Sequence, residues 1–149
     1  MTLAPDDANA HFQRHAVLFS LEDHDGAFAA CERAIELAPG VGQLYFERAG
    51  CRGFLEPEPE GWRAANIADC DRALELGYRD PDVFAHKAIT QQELRDLTAA
   101  VATLGAGIAE HPDAAQLYYH RALFRGSMGD DEGRRADLSR AKQLGFACE

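Results

Sequence analysis

The feature that most constrains the fold of this 149-residue chain is a pattern that returns after 34 residues. Phe84 recurs as Tyr118, and Lys87-Ala88 recurs as Arg121-Ala122. Going backwards, Tyr45 precedes Phe84 by 39 residues, so the same pattern extends into the first half of the chain. A period in this range is typical of repeat arrays, in which each unit buries its apolar face against its neighbours.

Start and stop signals predict two helices in each unit. Asp80 before Pro81 marks a helix start, and a second start follows at Asp96. Proline disfavours helical geometry in the residue before it, so His111-Pro112 ends the second helix. The same signals predict helices from Asp6 or Asp7 to about Leu21, from the turn Glu22–Gly26 to Ala38, from about Gly42 to Phe54, from Trp62 to Gly77, from Pro81 to about Leu94, and from about Asp113 to Gly145 with a break capped by Asp130.

The change of spacing from 34 to 39 predicts five extra residues inside the second unit. The segment 55–61, Leu-Glu-Pro-Glu-Pro-Glu-Gly, cannot be helical throughout and is where they fit. Two interpretations remain open: an insertion tolerated at a turn, which costs little loop entropy, or an acidic lip beside a binding groove.

The unit from residue 81 resembles the tetratricopeptide repeat. Phe84, Ala88, Ala100, Leu104 and Pro112 stand at the places of the family's Trp, Gly, second-helix Ala, Phe and Pro, whereas Lys87 and Gln91 depart from its Leu and Tyr. The resemblance implies an all-α fold, a right-handed α-solenoid of four antiparallel helix pairs in one domain over residues 1–149. The expected repeats span about 8–41, 42–80, 81–114 and 115–148; the first is the weakest, with His11 and His15 at positions that call for an aromatic and a small residue.

Composition narrows the class of partner. A net charge of -10 and a pI near 5.0 argue against nucleic acid and anionic membrane surfaces and favour a cationic partner. Neither a signal peptide nor an apolar run of membrane-spanning length is evident, so a cytoplasmic protein is expected. No nucleophile motif, glycine-rich phosphate loop or H-E-x-x-H is present, so no enzyme activity and no cofactor are predicted.

The resemblance implies that the first helices of the units line a concave surface that binds a partner protein or an amphipathic peptide. Helical spacing makes that surface apolar, with an acidic rim of Glu47, Asp82 and Glu93. The alternative is that its aromatic residues pack on one another or on the N-terminal tail. The predicted partner-binding residues are Phe12, Phe19, Phe46, Glu47, Phe54, His86, Ile89, Glu93, Tyr119, His120 and Leu123.

Other functions of the same fold stay open. The family's two-carboxylate clamp for chaperone C-termini is disfavoured, because its cations and amides are replaced by Phe12, Ala16, Glu47, Asp82 and His86. A short acidic array also looks like the chaperones of type III secretion translocators or like an immunity protein for a basic toxin. Two further alternatives are a self-associating structural module and a histidine-dependent metal or hydrolytic site.

Four cysteines, Cys31, Cys51, Cys70 and Cys148, are irregularly spaced and are interpreted as reduced structural thiols. Cys31 and Cys70 occupy the same repeat position, facing the first helix of the next unit. His11 and His15 lie four residues apart, a spacing that can chelate zinc, but their positions face the core of the first helix pair, so no metal site is predicted.

Two further patterns receive structural interpretations. Arg14, Arg48, Lys87 and Arg121 form a basic ladder that could bind phosphate, but Asp69 and Asp137 are placed to pair with Arg48 and Arg121 within their own repeats. Gly105-Ala106-Gly107 weakens a helix, and close approach of two helices or local flexibility would each explain it.

Overall fold

The computed structural model describes residues 7–147, which form eight α-helices and no strand. Successive helices pair as α1/α2, α3/α4, α5/α6 and α7/α8, and each pair falls within one of the four predicted repeats. The helices are α1 Ala8–Ser20, α2 His24–Leu37, α3 Gly42–Arg52, α4 Trp62–Glu75, α5 Pro81–Glu93, α6 Leu97–Glu110, α7 Ala115–Ser127 and α8 Asp131–Gln143.

The chain divides into two compact units, residues 1–79 and 80–149, called here the N-terminal unit and the C-terminal unit. The N-terminal unit holds α1 to α4 and the C-terminal unit holds α5 to α8. That the four repeats form a single domain stays a prediction. No helix within residues 7–147 combines the length and the apolar character needed to cross a membrane.

Small side chains hold the N-terminal unit together. Helix α1 packs on α2, α2 on α3, and α3 on α4. Ala27, Cys31 and Cys51 form a buried cluster against which Leu18 and Phe28 pack. Much of this core consists of alanine and cysteine rather than large aliphatic side chains. Side chains this small let the helix axes approach closely.

The core of the C-terminal unit is centred on Phe84, Leu104 and Leu117, which are almost fully buried. Helix α6 packs on both α5 and α7, which also contact each other, and α8 packs on α7. A Cβ atom added at Gly107 would lie 2.8 Å from the Cβ of Phe84 and 3.0 Å from Cδ1 of Leu117. Close approach of neighbouring helices therefore explains this glycine. It is one of the two explanations that the sequence left open.

Aspartate caps define most of the helix starts. Asp7, Asp80, Asp96 and Asp130 each accept a hydrogen bond from a backbone N–H of the helix that follows, as predicted. Asp6, the alternative first cap, and Cys148 lie outside the described residues. Asp23 is a further cap, accepting from the N–H of Gly26 at 3.0 Å.

Two predicted boundaries are wrong. Helix α2 begins at His24, inside the predicted turn, because the Asp23 cap starts the helix at once. Helix α3 ends at Arg52 rather than near Phe54, because a tight turn follows in which the N–H of Phe54 donates to the carbonyl of Cys51 at 3.0 Å.

The segment predicted to hold the insertion, 55–61, lies between α3 and α4. Arg48 and Asp69 form an ion pair across 21 residues, whereas the equivalent pair, Arg121 and Asp137, is 16 residues apart. The difference, 21 minus 16, gives the five extra residues. At the end of this segment the indole N–H of Trp62 donates to Glu58 at 3.2 Å, and the Trp62 side chain is partly buried.

Candidate protein-interaction surface

The predicted pairs within repeats are confirmed. Arg48 donates to both carboxylate oxygens of Asp69, at 3.0 and 2.6 Å, and Arg121 donates to both of Asp137, at 2.8 and 2.7 Å. These forked contacts are the geometry in which guanidinium groups bind carboxylates most strongly. The cations are therefore used inside their own units, which favours the structural interpretation of the ladder over phosphate binding.

The sequence reading missed a second arginine in each cluster. Arg52 donates to Asp69 at 2.7 Å and to Asn66 at 2.6 Å, and Arg125 donates to Asp137 at 2.9 Å. Each lies four residues after the predicted arginine and so on the same helical face, which is the signal that could have found it. The third repeat replaces this charged cluster by a neutral contact, a hydrogen bond of 2.8 Å from Thr103 to Gln91.

Aromatic rings of the N-terminal unit pack on one another. The ring of Phe19 meets Phe54 edge-on at 5.4 Å between centroids, and His24 stacks on Phe54 at 4.9 Å. Phe12 lies 5.9 Å from His15, and Phe46 lies 5.9 Å from Tyr78. Phe12, Phe19 and Phe46 are partly buried by such contacts. In this unit the aromatic residues therefore contact one another, which was the alternative to their forming an open apolar binding surface.

Phe54 differs from these residues because 54% of it is exposed. It lines a cleft of about 480 Å³ between the α1–α2 turn and the loop after α3. Backed by Phe19 and His24, its ring is held in place while one side faces solvent. Besides Phe54, His24, Gly53 and Leu55, the cleft is lined by five carboxylate residues: Glu22, Asp23, Asp25, Glu56 and Glu58.

A second cleft, of about 390 Å³, lies at the other end of α1. Phe12, Leu44 and the exposed Val41 form its apolar wall. Asp7 and Asn9 are at its edge. The N-terminal tail was the other segment on which the aromatic residues could pack. It lies outside the described residues.

The C-terminal unit presents two exposed aliphatic side chains at the same repeat position. Ile89 on α5 is 37% exposed and Leu123 on α7 is 46% exposed. Glu93 is exposed one turn after Ile89. At the start of the same helices, the amide of Gln116 contacts the carboxylate of Asp82 at 3.5 Å. Exposed acids therefore border this apolar pair.

The other predicted residues of this unit are less available. Tyr119 stacks on Phe146 with centroids 4.7 Å apart, and its ring also lies 5.9 Å from His120. His86 and His120 are partly buried, and burial lowers the pKa of each below its ordinary value. Burial therefore disfavours the charged form of both imidazoles.

Glu47 lies apart from these surfaces. It is partly buried, accepts a long hydrogen bond of 3.4 Å from Gln43, and lines a cleft of about 250 Å³ with His15, Phe19, Gly50 and Cys51.

Next to this cleft the fold brings together His15, Cys31 and Cys51, from three different helices. Their ligand-type atoms all lie within 4.8 Å of one another, and all three residues are buried. Cys31 faces the first helix of the next repeat, as predicted. The sequence did not predict this cluster, because its members come from three separate helices and are far apart along the chain.

Hydrogen bonds within this cluster shift the pKa values of its three side chains. Those donated by Cys31 and by His15 favour the Cys51 thiolate and lower the pKa of Cys51 to about 6. The hydrogen bond between His15 and Cys51 raises the pKa of His15, and the one between Cys31 and Cys51, together with burial, raises the pKa of Cys31. Of the three groups, Cys51 is therefore the one whose ionised form is most favoured.

The sequence matches no protein-family model and no curated protein. Solved structures nevertheless share its fold. A crystal structure of MamA superposes with a TM-score of 0.83 at 12% identity, covering 94% of this chain and 79% of that one. The Arabidopsis OM64 TPR domain gives 0.70 at 14% identity, covering 80% of this chain and 94% of that one.

A third neighbour is the first TPR of Spaghetti (RPAP3), bound to the HSP90 peptide SRMEEVD. It superposes with a TM-score of 0.72 at 14% identity and covers 85% of this chain and 99% of that one. At sequence identities this low, the structural superpositions show the fold alone and do not identify a binding partner. Eight helices in four pairs and this set of neighbours together show that the chain has the tetratricopeptide repeat fold, with four repeats.

Proposed function

We propose that this protein is a non-catalytic interaction module that binds a partner protein through a segment carrying both apolar and basic side chains. The observation that carries the proposal is the cleft beside Phe54, where a half-exposed aromatic ring is surrounded by five carboxylate residues. An aromatic ring held in place by its neighbours is a common binding anchor, and it also attracts cationic side chains.

The acidic surroundings select the charge of the partner. Glu22, Asp25, Glu56 and Glu58 are exposed at the cleft, and the chain as a whole carries a charge of -10. Like charges across an interface are costly, whereas opposite charges speed association and fix orientation. A basic, amphipathic segment therefore fits this cleft, and the acidic segment 55–61 serves as its lip.

We assign the remaining predicted residues one of two roles, according to whether their side chains are exposed or partly buried. Ile89 and Leu123 contribute a second apolar contact on the C-terminal unit, with Glu93 beside them. Phe12, Phe19, Phe46, Tyr119, His86 and His120 shape the surfaces from behind, because they are partly buried.

The test uses a fluorescein-labelled amphipathic peptide made of leucine and lysine, with binding followed by fluorescence polarisation. We expect Phe54→Ala to weaken binding by about tenfold, the usual cost of losing an aromatic anchor. Val17→Ala is the control, because Val17 is also an exposed apolar residue of the N-terminal unit, 57% exposed, and lines none of the clefts described above. Equal effects of the two substitutions would contradict the assignment of the cleft.

Charge is tested separately. Replacing two acids of the cleft, Glu22→Gln with Glu56→Gln, should weaken binding of the peptide and reduce its dependence on salt. The control makes the same change of net charge with exposed acids elsewhere, Glu32→Gln with Glu132→Gln. If both pairs act alike, only the overall charge attracts the peptide.

The HSP90 peptide SRMEEVD serves as the acidic probe, and we expect no measurable binding of it. Glu47 and Asp82 stand where the clamp of the family places cations or amides. Tight binding of SRMEEVD would overturn the proposed basic character of the partner. Sedimentation at several protein concentrations distinguishes self-association, which would raise the mass with concentration and would compete with the peptide.

A further inference from the structure

His15, Cys31 and Cys51 form a compact group of metal-type donors inside the N-terminal unit. They come from α1, α2 and α3, and their donor atoms lie within 4.8 Å of one another. Their exposed fractions are 6%, 0% and 1%. Imidazole nitrogen with two cysteine sulfurs is a ligand set that zinc uses in proteins.

The surroundings of the group hold its members in place. Ala27, Leu18 and Phe28 pack around the two cysteines, and the three helices contact one another in sequence. In such an apolar pocket two thiolates would be costly without a compensating charge. A divalent cation would supply that charge.

One donor atom in the group is left unsatisfied. Within residues 7–147, Nδ1 of His15 is buried and has no hydrogen-bond partner. A buried polar atom without a partner is unusual and costs stability. A turn of the imidazole that brings Nδ1 to the two sulfurs would let zinc satisfy this atom and leave the other nitrogen free to donate a hydrogen bond.

The group is also reachable. The cleft of about 250 Å³ lined by Ala16, Glu47 and Gly50 borders His15 and Cys51. Zinc prefers four ligands, and the cleft offers space for the fourth. The carboxylate of Glu47 or a water molecule would complete the shell from that side.

We propose that His15, Cys31 and Cys51 bind a zinc ion whose fourth position faces this cleft. Zinc bonds of about 2.3 Å to sulfur and about 2.0 Å to nitrogen place tetrahedral donors about 3.5–3.8 Å apart, so side-chain movements of about 1 Å close the site. Two Zn–S bonds and one Zn–N bond form, and any proton still held by a thiol or by the coordinating nitrogen of an imidazolium passes to solvent. No oxidant is needed, in contrast to a disulfide between the two cysteines.

The site would have a structural consequence. It would join both helices of the first repeat to α3 of the second, and the first repeat departs most from the repeat pattern because His11 and His15 stand where an aromatic and a small residue belong. A ligand that binds only the folded state stabilises it, so zinc should raise the unfolding temperature.

The experiment titrates the metal-free protein, kept reduced with a phosphine, with Co²⁺ and then with Zn²⁺. We expect a thiolate-to-cobalt charge-transfer band and the visible bands of tetrahedral cobalt, saturating at one ion per chain and abolished by zinc. Calorimetry with Zn²⁺ gives the affinity and the protons released, and thermal unfolding gives the stabilisation.

Cys31→Ala and Cys51→Ala should each weaken zinc binding at least roughly 100-fold and remove the cobalt band. The matched control is the double variant Cys70→Ala with Cys148→Ala, which should keep both. Cys70 is as buried as Cys31 and occupies the same repeat position, but lies outside the group. His15→Leu keeps an apolar volume at the site and should change the cobalt spectrum, and circular dichroism reports whether each variant folds.

Absence of a cobalt band and of a zinc-dependent rise in unfolding temperature in the wild-type protein would overturn the proposal. So would a band that persists in Cys31→Ala and Cys51→Ala or disappears in the Cys70→Ala, Cys148→Ala control. The wild-type protein and this control together decide whether the zinc site exists. The test therefore remains valid even if Cys51→Ala fails to fold.

Discussion

Arg52 and Asp69 form an ion pair of 2.7 Å with only 9% and 7% of their side chains exposed. The carboxylate also accepts two hydrogen bonds from Arg48, and the guanidinium of Arg52 also donates to Asn66. A buried pair is costly to break because the remaining charge has no water to solvate it. This cluster joins α3 to α4 on either side of the insertion.

Removal of Asp69 should therefore be severe. We expect Asp69→Ala to lower the free energy of unfolding by roughly 3–5 kcal/mol, measured by urea denaturation, because Arg52 is left buried and unpaired. Asp137→Ala is the comparison in the C-terminal unit. Arg125, which takes the place of Arg52 there, is 26% exposed rather than 9%, so water can replace part of the interaction that it loses. A larger loss for Asp137→Ala would contradict this argument.

Two glycines of helix α6 should respond to alanine with opposite signs. Gly107→Ala would place a Cβ atom 2.8 Å from Phe84, and we expect a loss of about 1–3 kcal/mol in unfolding free energy. At Gly105 the nearest atom to an added Cβ is Nη1 of Arg121, at 3.8 Å. Gly105→Ala should therefore stabilise by about 0.8–1 kcal/mol through helix propensity. Thermal and urea unfolding of both variants check the signs, and a stabilising Gly107→Ala would rule out close approach as the reason for that glycine.

The residues that follow α1, α5 and α7 share a left-handed backbone. Gly129 has φ +82°, and Glu22 and Arg95 adopt φ +61° and +66° at the matching positions. Side chains other than glycine pay about 1–2 kcal/mol there. We expect Arg95→Gly to stabilise by about 0.5–1 kcal/mol after the entropy cost of glycine, and Gly129→Ala to destabilise. A stability loss in Arg95→Gly, measured by thermal unfolding, would mean that its side chain contributes more than the backbone costs.

The lowered pKa of Cys51 predicts a thiolate near neutral pH in the metal-free protein. Ultraviolet absorbance of the thiolate should appear with a midpoint near pH 6, vanish in Cys51→Ala and survive in Cys70→Ala. The sign for stability follows from proton counts. Between pH 6 and the ordinary value of 9.0 the unfolded chain holds a proton that the folded chain has lost, so the Cys51 contribution grows with pH and is lost as pH falls through about 6.

His15 acts in the opposite direction. Its pKa is raised, so its contribution is complete below the ordinary value of 6.5 and is lost as pH rises through the folded value. Titrating the wild type beside Cys51→Ala and His15→Leu separates the two. No thiolate absorbance until pH 9.0 would contradict the hydrogen bonds assigned to Cys51.

Ile89 and Leu123 should matter for binding and little for folding. Ile89→Glu with Leu123→Glu is expected to weaken binding of a captured partner or of the leucine–lysine peptide, because it removes an exposed apolar pair. Leu94→Glu with Met128→Glu is a matched control: these residues end the same two helices, are also 34 residues apart, and are 49% and 48% exposed. The surface assignment fails if both double variants bind alike while remaining folded by circular dichroism.

Local and periodic features could be predicted from the sequence. Asp80-Pro81, Asp96 and Asp130 place helix starts within a few residues, and the 39-residue spacing from Tyr45 to Phe84 predicts an insertion in the second unit. Caps, prolines and the repeat period act over a few residues or recur exactly, so they can be read from one chain. The pairs Arg48–Asp69 and Arg121–Asp137 followed because equivalent positions repeat.

Which side chains from different helices come into contact depends on how the helices pack. Phe54 lies in a cleft because α3 ends early and the loop after it turns toward the α1–α2 turn, a path that no periodic pattern encodes. His15, Cys31 and Cys51 share one pocket because the rotation of α1, α2 and α3 about their axes directs them there. Such meetings depend on packing between helices, where small residues such as Ala27 set the distance of approach, and sequence spacing alone leaves them undetermined.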